Sequence, residues 1–414
     1  MISRAGAEGS LPRISATGLA LLLLWGTLTL WVRERWALSL LQAGTYLLGI
    51  LWAAGWGLGR ARLRGSFPLL PLVGAAIWGL TQLALRTTVY RFDTWNAVLF
   101  WMAALVLTFV SVQAFGAKEF RERCLRLSLY FAFAMSVLAT TQYFTSRGKV
   151  FWLFPSGYTD ALGPFVYRNN YAAFIELFLP LAVLEAVRSR RNALVHAAMA
   201  GVMYASVIAC GSRAGSILAT AGILVTLPLA AHRGLISLRG AGASLARIAA
   251  LAAVFVAVVG WRGLTERFEQ SDPYVHRREM LQSSLAMARE RPWLGFGLGT
   301  FEEAYPAYAL FDIGLVVNHA HNDWAEWLAE GGIPFLVLMA SLAAWAVVPA
   351  IRSIWGVGLL SVFLHALVDY PMQRLGLAAW VFVLLGALAA QEREERGMDR
   401  NPLRMQATPS ASSV

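Results

Sequence analysis

One pattern constrains this chain more than any other: apolar runs of about 16 to 22 residues recur along it, separated by short arginine clusters. Coiled as a helix, such a run crosses the roughly 30 Å hydrocarbon core of a bilayer. Lipid offers no partner to backbone N–H and C=O groups, so a crossing segment must pair them within itself, as a helix does. Composition supports the same conclusion. The chain is 58% apolar and 14% charged, against about 45–50% and 25% in soluble domains. A soluble chain of 414 residues would bury a large core but would still need a charged surface. The sequence therefore predicts an all-α polytopic membrane protein with about twelve transmembrane helices and one large loop outside the lipid.

The spans are expected at 17–32, 36–57, 68–86, 95–115, 127–144, 171–187, 193–211, 214–230, 248–264, 333–350, 354–369 and 375–390. Arginine and lysine set the orientation, because loops rich in them stay on the cytoplasmic side. With the N-terminus inside, the clusters Arg60–Arg64, Lys118–Arg126, Arg188–Arg191 and Arg233–Arg247 fall on inner loops, and Arg393–Arg404 on an inner tail. The organisation that follows is a cytoplasmic N-terminus over 1–16, helices one to nine over 17–261 and a large periplasmic loop over 262–332. Helices ten to twelve then occupy 333–390, before a cytoplasmic tail over 391–414 whose polar composition is that of a disordered segment. A smaller outer loop spans 145–170. Within the large loop, 275–291 has the pattern of an amphipathic helix. Leu281, Leu285 and Ala288 share one face, Arg277, Arg278 and Arg289 are polar, and Pro292 ends it. Such a helix is suited to lie along the membrane surface. Residues 1–16 lack the features of a cleavable signal: no small-residue cleavage site follows within reach.

Several function classes are set aside at this point. A net charge of +11 suggests nucleic acid, but these arginines are divided between both sides of a membrane, and no nucleic-acid partner is expected. Cys124 and Cys210 fall at opposite ends of predicted spans, which argues against a disulfide. The stretch Gly295-Phe296-Gly297-Leu298-Gly299 has no βαβ unit around it and is read as a bend, not a nucleotide site. His319 and His321 lie near Asp323, Glu326 and Glu330, yet an i, i+2 pair points apart on a helix and no HExxH pattern appears. Neither a metal nor another cofactor is expected.

The unusual polar residues gather on the predicted outer side. Tyr167-Arg168-Asn169-Asn170 opens a span, and a helix N-terminus carrying an arginine and two amides can hold an anion. Alternatively, Arg168 pairs with Glu176 two turns further on. Gly211-Ser212-Arg213-Ala214-Gly215 forms a tight outer turn with Arg213 at its tip, although a tight turn needs no arginine. Arg278 lies on the loop helix. Asn318-His319-Ala320-His321-Asn322-Asp323 closes the large loop just before a short helical run and the tenth span. His365 and Asp369 share one helical face near the outer end of their span, either to pair in the same cavity or to satisfy each other within the bundle. Trp95, Trp152, Tyr158, Trp324 and Trp327 are expected as interfacial anchors.

In this order the segments resemble the O-antigen ligase and O-antigen polymerase superfamily of bacterial membrane glycosyltransferases. FVYRNNYAAFIELFLP resembles the family segment that opens a span with an Arg-Asn pair. CGSRAGSILA resembles its Ser-Arg-small-Gly turn, and RREMLQSSLAMARERPWLGFGLGTF its loop helix followed by Pro and spaced glycines. VNHAHNDWAEWLAEGGI resembles its His-Asn segment, and HALVDYP a late helix. The likeness is strongest from Phe165 to Ala379. One departure is Phe335, where the family often has glycine.

The resemblance implies a glycan donor carried on a polyprenyl (undecaprenyl) diphosphate at the outer face of the bacterial inner membrane. The glycan passes to a hydroxyl acceptor, by an inverting reaction that needs no metal. In a ligase the acceptor is the lipid A–core sugar; in a polymerase it is another lipid-linked repeat. Arginine forks suit a diphosphate leaving group, and a histidine suits the proton of a poor nucleophile. Arg213 and Arg278 are expected on the diphosphate, helped by Arg168. His321 is expected as the base. Asn169, Asn170, Ser212, His319 and Asn322 are expected to bind substrate. The ligase reading is preferred on the His-Asn segment. A transporter or flippase for a lipid-linked sugar is the competing class, but it would need binding groups reachable from both faces near the midplane.

Overall fold

The structure is a computed structural model that describes residues 4–157, 161–189, 191–259, 265, 275–312, 314 and 316–397. It is 76% helical. The sheet among the described residues is one small hairpin, in which Val150 pairs antiparallel with Phe154. The helices are α1 (Arg4–Leu28), α2 (Arg35–Gly57), α3 (Leu69–Leu85), α4 (Arg91–Ala114), α5 (Lys118–Thr145), α6 (Arg168–Arg188), α7 (Ala193–Ala209), α8 (Arg213–His232) and α9 (Leu238–Val259). There follow α10 (Val275–Glu290), the short α11 (Phe301–Ala304), α12 (Asp323–Ser353), α13 (Val357–His365) and α14 (Leu375–Glu395).

Nine of the described helices are long and apolar enough to cross a membrane, and α3 and α7 are shorter apolar helices. The bundle is ordered by burial. In α6 and α14, 89% of the most apolar window is enclosed by other helices, against 28% in α2 and 22% in α9. A helix apolar on every side belongs inside a bundle. The outer helices instead turn large side chains such as Leu40, Leu47, Ile50, Ile77 and Val254 away from the protein. In water these would be a liability; facing acyl chains they need no cover.

The central helices meet at small residues. A Cβ added to Gly358 of α13 would lie 2.2 Å from the Leu177 carbonyl oxygen of α6, and one added to Gly376 of α14 would lie 2.3 Å from the Gly26 carbonyl oxygen of α1. Without a hydrophobic drive between helices in lipid, such close backbone approach supplies much of the packing energy. Phe335, the departure noted above, is fully buried edge-on to Trp101 at 5.2 Å.

Several boundaries differ from expectation. α1 begins at Arg4, so most of 1–16 is helical and not a separate arm. The span expected at 354–369 is the nine-residue α13, which rises only about 13 Å; single helical turns continue it to Asp369. α12 starts at Asp323, inside the expected loop, and breaks at Gly332, whose φ of 67° separates a first helical piece from the expected tenth span. α14 runs past 391 to Glu395, and the tail beyond Gly397 lies outside the described residues. Trp327 is buried against Trp101 and Trp324 and is no interfacial anchor; Tyr158 lies outside the described residues.

Between α9 and α12 the described chain builds a small core of its own. Met280 and Met287 of α10 pack with Phe296, Phe301, Tyr305, Val317 and Ala329. The helix predicted over 275–291 is present and Ala288 is buried as expected, but the buried stripe otherwise runs through Met280, Ser283, Ser284 and Met287, while Leu285 is exposed. Flexible methionines fill the space between aromatic rings better than branched leucines do.

Gly358→Leu is expected to force α13 away from α6 and to lower stability by about 1–3 kcal/mol, the usual cost of overpacking. Gly57→Leu, at a position with open space around it, is expected to leave thermal melting in detergent micelles unchanged.

Candidate active site at the start of α6, α8 and α12

Two helices start side by side. Tyr167 is the extended residue before α6, and Arg168 is its first helical residue. Gly211, with φ +67°, turns the chain between α7 and α8. Ser212 then caps α8, its Oγ accepting from Gly215 N at 3.1 Å. The same hydroxyl donates to Asn169 Oδ1 at 2.8 Å, which staples the two helix starts together. Arg168 and Arg213 thus stand at the first position of adjacent helices, half-exposed, at the positive ends of two helix dipoles, which favour an anion.

Asn169 uses its amide nitrogen on Asp369 Oδ2. Asp369 lies in the turn after α13 and is almost completely buried. Its Oδ2 also accepts from Arg277 Nη2 of α10 at 3.2 Å, while Arg277 Nη1 donates to the Val368 carbonyl at 2.9 Å. Its Oδ1 accepts from Tyr370 N at 2.9 Å and faces His321 Nδ1 at 3.2 Å. Burial pushes this carboxyl up, but the His321 hydrogen bond and the Arg277 charge outweigh it and hold the group down at about 2. An ionised carboxylate only accepts hydrogen bonds, so the His321 Nδ1 carries the hydrogen. In the neutral ring, Nε2 then keeps its lone pair.

The segment 316–322 is not helical. His321 has φ +50°, a conformation uncommon outside glycine and frequent at functional sites. Asn322 caps α12, accepting from Ala325 N at 3.0 Å. The expectation that His319 and His321 point apart, made for a helix, is overturned here. Both rings lie against Tyr370, at 4.5 and 4.8 Å between centroids. His319 Nδ1 is 2.9 Å from Glu326 Oε1, and the other Glu326 oxygen accepts from Ala320 N at 2.7 Å.

The glycine-rich stretch holds this segment from below. A Cβ added to Gly295, which has φ +63°, would lie 2.2 Å from the Glu330 carbonyl oxygen. The amides of Gly299 and Phe301 donate to the two Glu330 carboxylate oxygens at 2.8 and 2.9 Å. Backbone N–H groups that would face a phosphate in a nucleotide site are already taken.

Three further expectations are resolved by partners. Glu176 pairs with His365 at 2.8 Å, both fully buried, and not with Arg168. His365 and Asp369 therefore serve different neighbours. Arg278 is exposed on α10, and it is the adjacent Arg277 that reaches Asp369. Asn170 is buried, its Oδ1 without a hydrogen-bond partner among the described residues. Arg277 and Tyr370 were not anticipated as site residues, and Asp369 only as a partner of His365 in the same cavity. The motif His365-Ala-Leu-Val-Asp369-Tyr-Pro contained two of them, and the Arg277-Arg278 pair the third.

Residues 197–340 match the family model described as O-antigen ligase. Over that segment the chain is similar to the O-antigen ligase superfamily. The O-antigen ligase match takes in the Gly211–Gly215 turn, α10, the glycine-rich stretch and His319–Asp323. The start of α6 and the Asp369 turn, which complete the cluster, lie outside it. No curated protein matches the chain.

The depressed carboxyl of Asp369 has a consequence for stability. Its ionised form stabilises the fold above the ordinary carboxylate value of 3.8, and this contribution is lost as pH falls through about 2. Asp369→Asn is expected to cost about 2 kcal/mol at neutral pH. It should also flatten the dependence of the melting temperature on pH between about 4 and 2.

Proposed function

We propose that the chain is a metal-independent, inverting glycosyltransferase that moves a glycan from a polyprenyl diphosphate carrier to a hydroxyl acceptor. The reaction takes place at the periplasmic face of the bacterial inner membrane. The observation that carries this reading is the His321–Asp369 pair set beside two arginine-bearing helix starts.

His321 Nε2 takes the proton of the acceptor hydroxyl as its oxygen bonds to the anomeric carbon. The bond from that carbon to the diphosphate oxygen breaks on the opposite face, which inverts the centre. Asp369 keeps the ring in the productive tautomer and steadies the imidazolium that forms. The departing diphosphate is already a weak base and needs charge stabilisation more than a proton. Arg168 and Arg213, together with the helix dipoles behind them, supply it. Arg278, exposed on α10, is the third cation for that group. Asn169, Asn170 and Ser212 line the diphosphate side; His319 and Asn322 line the acceptor side. The acceptor proposed is lipid A–core, making the chain a ligase; an O-antigen or exopolysaccharide polymerase would use the same machinery on a second lipid-linked repeat. Glycan analysis of a deletion strain separates them. Polymer left on the carrier with none on lipid A supports the ligase, and single repeats on lipid A support the polymerase.

His321→Ala is expected to lower turnover by roughly a hundred-fold or more. Donor binding should stay near wild type, any fall in melting temperature from the lost Asp369 contact should be too small to account for that loss of turnover, and the acid limb of the rate profile should disappear. Activity that falls only with the folded fraction would instead mark His321 as structural. Arg213→Lys is expected to fail nearly as badly as Arg213→Ala, because an ammonium cannot make the planar two-point contact of guanidinium with phosphate.

The sidedness is tested by fused reporters. Fusions after Arg191 and after Gln391 are expected to read cytoplasmic, and a fusion within 275–310 periplasmic. A cytoplasmic reading for the last would overturn the proposed site.

A further inference from the structure

Far from the His321–Asp369 cluster, a trough of about 470 Å³ opens between α1 and α5, with Trp380 of α14 at its floor. Ala16 and Ala20 leave it open on the α1 side, and Leu24, Leu127 and Phe131 make its walls apolar. From Arg13 to Leu24 the helix rises about 16 Å, close to half the hydrocarbon thickness of a bilayer. The trough therefore has the depth of one leaflet.

Its mouth is cationic. Arg13 and Arg123 line it from opposite helices, and both are exposed. Among the described residues neither has a hydrogen-bond or ion-pair partner. The nearby carboxylate of Glu122 is shared with Lys118 at 3.7 Å. The opposite end of α1 leads to Arg33, whose Nη2 donates to the Ser156 carbonyl in the loop before Arg168. The mouth of the trough is thus at the other end of the bundle from the candidate active site, out of reach of a donor diphosphate held there.

An apolar slot one leaflet deep, closed by two guanidinium groups from different helices, matches an anionic lipid in both parts. Basic pockets between membrane helices recognise anionic headgroups in this way. We propose that this trough binds an anionic phospholipid, one acyl chain lying between α1 and α5 and the phosphate held between Arg13 and Arg123. The lipid completes the contact between two helices that the trough holds apart.

The test uses the purified full-length protein in detergent micelles, titrated with phosphatidylglycerol and separately with phosphatidylcholine of the same acyl chains, the melting temperature being followed. Phosphatidylglycerol is expected to raise the melting temperature saturably and phosphatidylcholine to do so little. The double variant Arg13→Gln, Arg123→Gln is expected to need roughly thirty-fold more phosphatidylglycerol, the worth of two basic groups near an anionic surface. Ala20→Phe, which fills the trough, is expected to abolish the response. Equal responses to both lipids would overturn the proposal, as would a phosphatidylglycerol response that survives both variants. Inorganic phosphate alone is expected to do nothing; a shift equal to that of the lipid would remove the acyl chain from the argument. Should Ala20→Phe not fold, the lipid selectivity of the wild type and the arginine variant still decide.

Discussion

A buried carboxylate holds the candidate site together. Asp369 accepts from Asn169 at the start of α6, from Arg277 on α10, from His321 before α12 and from its own neighbour Tyr370. These groups are far apart in sequence, and most contribute one hydrogen bond to the same two oxygens. A buried carboxylate that loses its partners is strongly unfavourable, so each contact depends on the others being made. The turn after α13 therefore acts as the reference point from which the two helix starts, the histidine and the loop helix are positioned. Further support comes from beneath, where Glu330 takes the amides of Gly299 and Phe301 and Glu326 takes that of Ala320 beside His319.

Much of this architecture was legible in the sequence, because lipid imposes so few solutions. A long apolar run with no internal charge has little option but to span as a helix, and the central and peripheral helices follow one rule of length. Legibility failed where length was not the deciding variable. α13 is half as long as its apolar run suggests, because close contact of Gly358 with the α6 backbone seats it inside the bundle. A short helical run before the tenth span was read from the sequence, but not its start at Asp323, because Asp323–Gly331 is polar enough to blend into the loop. It is helical because Asn322 caps it and Glu326 and Glu330 have internal partners.

At the candidate site, residue types were legible and pairings were not. The Arg-Asn and Ser-Arg segments stood out as polar groups at helix starts, and the histidines as the only imidazoles in the large loop beyond His276. Their geometry was misjudged where helical spacing was assumed for a segment that is not helical, since off a helix two histidines two residues apart can share one face. Arg277 was passed over beside Arg278 for a related reason: successive residues on a helix differ by a wide angle, and only a contact can say which of two adjacent arginines reaches Asp369.

The Glu176–His365 pair gives this arrangement a second fastening. It joins the same two helical segments as Asn169–Asp369, but seven residues further along α6, or about 10 Å. A rod pinned at two heights can neither slide along its neighbour nor roll against it. The wall of the site formed by α6 and α13 is accordingly an anvil of fixed position. On the proposed function, room for a bulky glycan has to come from the opposite jaw, the piece carrying α10 and the glycine-rich stretch, whose hold on the anvil includes the half-exposed Arg277 fork.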